Sequence, residues 1–282
     1  ARARPWRAPD RTPWGVLVSE VMLQQTPVAR VEPVWRAWMA RWPVPAALAG
    51  DQPAEAIRAW GRLGYPRRAL RLYAAAVAVD AEHGGAVPSS YEALRALPGI
   101  GDYTAAAVAS FAFGQRHAVL DTNVRRVLAR AVGGVALPPE SPARAEVRRA
   151  EALVPADAAT AARWAVAVME LGALVCTARS PRCDECPVAG LCAWRAAGSP
   201  PYDGPRRRGQ AWAGTDRQCR GRLMALLRAA SGPVPGRRLA EAWTADPLQR
   251  ARCLDGLVSD GLVEPLAGDV YRLPVTRSSA ST

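Results

Sequence analysis

Four of the six cysteines stand close together in the sequence. Cys176, Cys183, Cys186 and Cys192 follow the spacing Cys-x6-Cys-x2-Cys-x5-Cys, which puts four thiolates within 17 residues. Four thiolates are the ligand set of a cubane [4Fe–4S] cluster. Structural zinc also takes four thiolates, but usually as two CxxC pairs separated by a longer loop, and only one such pair is present. The spacing therefore favours an iron–sulfur cluster, with zinc or free thiols as the alternatives.

Two carboxylates occupy positions that chemistry could use. Glu20 lies on an otherwise apolar stretch with helical spacing, and Asp121 directly precedes another helical segment. The simplest interpretations are a solvated helix face for Glu20 and an N-cap for Asp121. The chemical alternative is cleavage of an N-glycosidic bond, because a carboxylate beside the sugar stabilises the oxocarbenium-like transition state. Taken alone, the two residues leave both interpretations open.

A glycine pair separates two helical segments in Leu97-Pro-Gly-Ile-Gly101. Gly99 and Gly101 allow a tight turn that exposes backbone N–H groups at the start of the next helix. Such a helix start binds phosphate without reading sequence. A Gly-x-Gly turn between helices is a weak signal by itself.

The charge of the chain points to a polyanionic partner. Its 282 residues carry a formal net charge of +12 from 37 basic and 25 acidic side chains. Nucleic acid is the commonest such partner, and a basic surface kept only for solubility is the alternative. Every basic residue is Arg, so no side-chain amine is available to form a Schiff base.

The spacing of apolar residues predicts a mainly α-helical chain from residue 14 to about 195. The predicted helices are rich in Ala, Leu, Val and Arg, and they span residues 14–26, 53–60, 67–82, 91–96, 104–113, 124–131 and 160–175. A linker rich in Pro, Gly and Arg is predicted over 197–214. Helices over 216–229, 236–243 and 247–260, followed by a hairpin signal around Gly268-Asp269, predict a winged-helix-like module over 215–274. A protein-contact or packing module is the alternative, and residues 275–282 are predicted to be a disordered tail.

Taken together, these motifs resemble the endonuclease III/MutY superfamily of helix-hairpin-helix, iron–sulfur DNA glycosylases. The cysteine spacing and the distance from the hairpin to Asp121 are similar to the superfamily. The segment Glu20-Val-Met-Leu-Gln-Gln-Thr26 resembles its adenine-removing MutY branch. The resemblance covers about residues 5–195. It implies a two-lobed helical fold, with lobe A at about 1–28 and 125–196 and lobe B at about 29–124. Glu20 and Asp121 would then face each other across the cleft between the lobes.

The resemblance also implies roles for individual residues. Glu20 would protonate adenine, Asp121 would stabilise the cation on the sugar, and Asn123 and Tyr103 would assist them. The residues expected to contact DNA are Gln24, Gln25, Thr26, Leu63, Tyr65, Gly99 and Gly101. Gln25 and Thr26 would contact the partner base, while Leu63 and Tyr65 would wedge into the base stack. The adenine pocket would include Trp6, Arg7 and Leu23, and the four clustered cysteines would hold the [4Fe–4S] cluster.

The segment Gly101-Asp-Tyr-Thr-Ala105 separates this chain from the bifunctional branch. Endonuclease III-type enzymes carry a Lys where this chain has Tyr103. The resemblance therefore implies a monofunctional enzyme that leaves an abasic site. The alternatives are a thymine or uracil mismatch glycosylase on the same scaffold and a non-catalytic iron–sulfur regulator that binds DNA.

The 90 residues that follow Cys192 do not resemble the Nudix-like domain that most relatives carry there. The expected partner is duplex DNA with adenine opposite 8-oxoguanine or guanine. We expect a monomer in the cytoplasm, associated with the nucleoid, because no apolar run is long enough to span a membrane and no secretion signal is recognisable.

Overall fold

The computed structural model describes residues 2, 4–141, 143–205 and 212–276. Over these residues the chain is mainly helical, as predicted. The helices are α1 Pro13–Leu23, α2 Val28–Arg41, α3 Pro45–Ala49, α4 Pro53–Trp60, α5 Arg67–Glu82, α6 Tyr91–Ala96, α7 Asp102–Phe113, α8 Thr122–Ala131, α9 Arg144–Leu153, α10 Ala158–Leu174, α11 Ala193–Ala196, α12 Asp216–Ala229, α13 Gly236–Ala242 and α14 Pro247–Ser259. No helix among the described residues is long and apolar enough to cross a membrane.

The described residues form two compact units. The first unit draws on Ala1–Leu17, Ser89–Ala96 and Ile100–Arg207, and the second on Val18–Pro88, Leu97–Gly99 and Arg208–Thr282. The predicted lobe boundaries near residues 28 and 124 stay a prediction.

In the first unit, α10 packs against α8 and α7, while α11 packs against α8. Val124 and Leu128 of α8 and Ala150 of α9 form a buried apolar cluster, and Trp164 packs against it from α10. Side chains four apart lie on the same helix face, so α8 buries one apolar stripe. Asp157 caps the start of α10 by accepting a hydrogen bond from Thr160 N at 2.8 Å.

In the second unit, α3 and α4 pack against α5, and α2 packs against α4. Three indoles fill the space between α2 and α4. The Trp38 ring lies edge-on to Trp42 and Trp60, with ring centroids 4.8 and 5.7 Å apart. Edge-to-face aromatic pairs at this spacing add to the free energy gained by burying the rings.

The C-terminal part of the second unit has winged-helix-like topology. Helix α12 packs against α14 and α13, and three short strands form an antiparallel sheet in the order β1-β3-β2. The strands are β1 Val234–Pro235, β2 Glu264–Leu266 and β3 Val270–Arg272. Cys219, Leu223, Leu239 and Leu257 form its buried core.

Several sequence predictions need correction. The first helix ends at Leu23 instead of residue 26, because Pro27 disfavours helical backbone at the residue before it. Helices α2, α3 and α9 and strand β1 were not predicted. Two residues of the predicted disordered tail are held by hydrogen bonds, from Val275 N to Glu264 Oε1 and from Thr276 N to Gln52 Oε1. Residues 277–282 of that tail and residues 206–211 of the predicted linker lie outside the described residues.

Candidate active site and cysteine loop

Glu20 is a buried carboxyl group near the end of α1. Its residue surface is 2% exposed, and the neighbouring Ser19 is fully buried. The interpretation of Glu20 as part of a solvated helix face is therefore wrong. A carboxylate is costly to bury unless it is paired or used in chemistry, which keeps Glu20 the first candidate for a catalytic acid.

The turn after α1 is held by a buried arginine that the sequence analysis missed. Arg68 of α5 donates from Nη1 to the carbonyl oxygens of Val21, Met22 and Gln24 at 3.0, 3.0 and 2.5 Å. Its Nη2 donates to Thr26 Oγ1 at 2.9 Å. Burial lowers the pKa of Arg68 to about 10, so the guanidinium stays charged at neutral pH. The predicted partner-base segment is thus fixed by charged hydrogen bonds.

The same arginine reaches the predicted wedge loop between α4 and α5. Arg68 Nη2 donates to the carbonyl oxygen of Gly64 at 3.1 Å, and Thr26 Oγ1 lies 3.4 Å from that of Leu63. Tyr65 is 49% exposed and has a φ of 48°, whereas Leu63 is 4% exposed. Tyr65 is accessible for a contact with a base stack, while Leu63 packs inside the protein. Next to Thr26 in the chain, Gln25 is exposed, whereas Gln24 and Leu23 are partly buried.

The two glycines of the hairpin differ in whether the fold requires a glycine at that position. Gly99 has a φ of 75°, and a Cβ atom there would lie 2.6 Å from Arg71 Cβ. Gly101 precedes α7, is exposed, and has open space where a Cβ would go. Only Gly99 is therefore required by the fold itself. The exposed Gly101 leaves the first N–H groups of α7 without a side-chain cap, as a phosphate site would need.

The first turn of α7 carries Asp102 and Tyr103. Asp102 Oδ1 accepts hydrogen bonds from Arg95 Nε at 2.5 Å and from the Tyr91 hydroxyl at 3.2 Å. The Arg95 guanidinium, with its hydrogen bond and its charge, holds the pKa of Asp102 below its usual value. Tyr103 is partly buried. Its predicted role beside the catalytic acid stays a prediction.

Asp121 is the N-cap of α8, which confirms the simpler interpretation of that residue without excluding the chemical one. Its Oδ1 accepts from the backbone N–H groups of Asn123 and Val124 at 2.8 and 2.6 Å. Its Oδ2 accepts from Asn123 Nδ2 at 2.8 Å. Three hydrogen bonds fix the orientation of the Asp121 side chain. Asn123 therefore orients Asp121.

A second buried arginine extends this arrangement to the cysteine loop. Arg126 Nη2 donates to Asn123 Oδ1 at 2.8 Å and to the carbonyl oxygen of Gly172 at 2.6 Å. Its Nε donates to the carbonyl oxygen of Cys176 at 2.7 Å. A Cβ on Gly172 would lie 2.7 Å from Asn123 Cβ, so α10 approaches the start of α8 as closely as glycine allows.

All four clustered cysteines line one open recess, together with Arg130 and Arg195. Burial raises the pKa of the Cys183 thiol; the positive charge of Arg195 opposes this shift, and the other three thiols add to it. Arg130 donates to Cys176 Sγ at 3.3 Å and to the carbonyl oxygen of Thr177 at 2.7 Å.

The donor set of this recess fits a cubane cluster. Among the described residues, no three His, Cys, Asp or Glu side chains converge closely enough to hold one metal ion. Sulfurs spread around a recess suit a cluster, in which each thiolate binds a different iron, better than a single zinc ion with all ligands about 2.3 Å away. When bound, the cluster would pin the loop and supply fixed charge beside Arg130.

The N-terminal residues predicted for the adenine pocket are packed into the first unit. Trp6 is 2% exposed. Arg7 Nη1 pairs with Glu170 Oε1 at 3.0 Å, and Arg2 Nε pairs with Glu170 Oε2 at 2.7 Å. Arg7 thus has a structural partner, and its place in an adenine pocket stays a prediction. The signal that could have found Glu170 is an acid on the apolar face of a long helix.

The chain is similar in sequence to known DNA repair proteins. Residues 18–151 match the HhH-GPD superfamily base excision DNA repair proteins, and residues 176–192 match the iron–sulfur binding domain of endonuclease III. The second match supports a [4Fe–4S] cluster as the cofactor. The superfamily match includes Glu20, the wedge loop, the hairpin and Asp121. The iron–sulfur match includes all four clustered cysteines.

Individual proteins that are similar to this chain are also named as DNA glycosylases. The chain is 52% identical over 273 residues to an adenine DNA glycosylase of Mycobacterium tuberculosis, covering 97% of this chain and 89% of that protein. It is 43% identical over 199 residues to the human adenine DNA glycosylase, covering 68% of this chain and 36% of that protein. A thermostable thymine-DNA glycosylase matches with a TM-score of 0.63 at 29% identity, covering 70% of this chain and 89% of that structure. The chain belongs to the adenine DNA glycosylase family of the HhH-GPD superfamily.

Proposed function

We propose that this protein hydrolyses the N-glycosidic bond of adenine mispaired with 8-oxoguanine or guanine in duplex DNA. The observation that carries the proposal is the buried Glu20 carboxyl group, within a segment that resembles the adenine-removing branch. A net charge of +12 suits a DNA substrate. The close relatives named adenine DNA glycosylase support the choice of base. We further propose that the protein acts as a monomer in the cytoplasm, on nucleoid DNA.

The chemistry requires an acid and an anion. The deoxyadenosine is first flipped out of the duplex, which costs a few kcal/mol. Glu20 donates its proton to adenine N7, so that the C1′–N9 bond breaks and the electron pair leaves with the base. Asp121 stabilises the positive charge left on the sugar. Water then adds its oxygen to C1′ and gives up a proton to the Glu20 carboxylate, which restores the acid and leaves an abasic site.

Two other residues position the reacting groups. The Asn123 amide holds Asp121 Oδ2, and its own oxygen is held by Arg126. Tyr103 supports the acid and the transition state, as the resemblance implies. No step uses a side-chain amine, because the chain contains no Lys. The enzyme is therefore monofunctional.

The test is a comparison of base release from duplexes that differ only at the mispair. We expect adenine to be released from A:8-oxoguanine and A:G duplexes, with no base released from T:G or U:G, because pyrimidines lack the N7 that Glu20 would protonate. Borohydride should trap no side-chain adduct with DNA. Faster release of thymine or uracil would replace this proposal with a pyrimidine mismatch glycosylase. DNA binding without release of any base would indicate the non-catalytic regulator.

A further inference from the structure

An exposed stack of two aromatic rings and one arginine lies where the C-terminal module meets the wedge loop. The guanidinium carbon of Arg217 is 5.9 Å from the ring centroid of Tyr65 and 5.3 Å from that of Trp212. Tyr65 is 49% exposed and Trp212 is 53% exposed. We call Tyr65, Trp212 and Arg217 the aromatic–arginine patch.

The fold fixes the module's half of this patch. Thr215 caps α12 by accepting from Gln218 N at 3.3 Å, and its hydroxyl donates to the carbonyl oxygen of Trp212 at 2.8 Å. Trp212 is thereby tied to the first turn of α12, which carries Arg217. The indole also lies over Gly221, where a Cβ atom would be 3.8 Å from the ring. Arg217 and Trp212 are thus presented by a capped helix instead of a free segment.

The other end of α12 is anchored to the same part of the second unit. Arg58 Nη1 of α4 donates to the carbonyl oxygens of Arg228 and Ala230 at 2.7 Å each. A cation at a helix C-terminus satisfies unpaired carbonyl groups and complements the helix dipole. Arg67 Nη1 also pairs with Asp260 Oδ1 at 3.2 Å. The module is therefore held on α4 and α5, on either side of the loop that carries Tyr65.

The loop that carries Tyr65 holds a further positive charge. Arg62 belongs to the wedge loop and is exposed. Burial lowers the pKa of Arg228, and the nearby charge of Arg62 lowers it further. Like charges brought together repel one another, and binding of a polyanion relieves that repulsion. Arginine planes with exposed aromatic rings are the combination that binds a nucleic-acid backbone and its bases.

We propose that the C-terminal module is a second DNA-binding element, which uses Arg217 and Trp212 to extend the contact surface around Tyr65. The occupant is the duplex strand that carries the base opposite the excised adenine. Arg217 binds a phosphate of that strand and supports the Tyr65 ring from one side, while Arg68 lies 5.7 Å from the ring centroid. This inference rests on the proposed function, because it uses the partner-base segment at Thr26 beside the wedge loop.

Binding measurements on the full chain with its cluster test the proposal. The probe is a duplex with a hydrolysis-resistant deoxyadenosine analogue opposite 8-oxoguanine or guanine. Arg217→Ala and Trp212→Ala should each weaken binding roughly tenfold, the loss expected for a stacking or phosphate contact. Arg217→Ala should also reduce the slope of log K against log salt by about one. The matched control is Arg238→Ala, which removes an exposed arginine of the same module. Arg238 Nε forms a long ion pair with Glu241 Oε2, at 3.5 Å.

A double-mutant cycle separates this role from general electrostatics. Because Arg217 supports Tyr65, Tyr65→Ala and Arg217→Ala should be non-additive, with the second change costing less when the first is present. Thermal unfolding of each variant checks that the module remains folded. If the wild type releases adenine but Arg217→Ala binds as Arg238→Ala does, with the same salt slope, the inference is wrong. If the wild type releases no adenine, the proposed function fails, whatever the binding data show.

Discussion

Two buried arginines perform the same task in the two units, with one difference. Arg126 in the first unit and Arg68 in the second each donate to backbone carbonyl groups of a predicted functional segment. Arg126 orders the Asp121 turn, and one of its hydrogen bonds goes to the carbonyl oxygen of Cys176, a predicted cluster ligand. Arg68 orders the turn after α1, and its bonds involve no predicted metal ligand.

The difference indicates which segment depends on the cofactor. The Asp121 turn is connected to the cysteine loop through Arg126, so its order depends on whether the loop is pinned by the cluster. The turn after α1 is held by protein groups alone. The two regions should therefore respond differently to loss of metal and to loss of their arginine.

Loss of the cluster should give the largest effect. Cys186→Ser removes one thiolate of the recess, and we expect the cluster's charge-transfer absorbance to disappear. Amide hydrogen exchange in α8 and at the end of α10 should then accelerate at least tenfold more than exchange in α5, because Arg126 and Arg130 lose a fixed partner. Equal acceleration in α5 and α8 would contradict the comparison.

Loss of Arg68 should give the next largest effect, and in the second unit. Arg68→Met keeps the length of the side chain but leaves buried carbonyl groups unsatisfied, which should lower the free energy of unfolding by about 3 kcal/mol. The control is Arg67→Met, because Arg67 is exposed and its pair with Asp260 is worth less than about 1 kcal/mol. Urea denaturation measures both. Similar losses in the two variants would show that the buried bonds of Arg68 contribute no more than the surface ion pair.

A substitution at Gly172 tests the packing of the Asp121 turn. Gly172→Ala places a Cβ 2.7 Å from Asn123 Cβ and 2.8 Å from its carbonyl oxygen, so α8 or α10 must shift. We expect a loss of about 2 kcal/mol in the free energy of unfolding and slower adenine release. Gly190→Ala is the matched control, since it meets nothing within 4 Å. Unchanged stability and turnover in Gly172→Ala would mean that the two helices separate at no cost.

The smallest predicted effect is a pH dependence at Glu170. Burial alone would raise the pKa of Glu170, but the hydrogen bond and charge of Arg2, together with Arg7, lower it overall. A lowered folded pKa gives stability that is complete above the ordinary carboxyl pKa and is lost as the pH falls through the folded value. Melting curves of the wild type and Glu170→Gln should therefore converge as the pH falls. Parallel curves down to acidic pH would show that the ion pairs contribute nothing.

The sequence predicted those elements whose apolar spacing and end signals agree. Helix α12 was predicted with its exact bounds, since Thr215 caps its start and its buried side chains are regularly spaced. Helix α2 was missed because Pro33 lies inside it. Helix α9 was missed because only Ala150 is buried, which leaves little apolar periodicity.

The candidate site was predicted in its chemistry but not in its supports. The acids and the cysteines are recognisable by residue type and spacing. Arg68 and Arg126 are not, because each acts on carbonyl groups more than 40 residues away in the chain. From sequence alone, an arginine on a helix is expected to be exposed to solvent, and only the tertiary fold shows that it is buried.

We propose that Glu20 and Asp121 are both required to release one adenine. The direct test is single-turnover adenine release by Glu20→Gln and Asp121→Asn, with Asp157→Asn as the control. Asn caps a helix about as well as Asp, so Asp121→Asn should keep the cap of α8 and lose the hydrogen bond from Asn123 Nδ2, while Asp157→Asn should keep both stability and activity. We expect both active-site variants to bind duplex DNA and to release adenine at least about a thousandfold more slowly. Turnover close to that of the wild type in either variant would contradict the account.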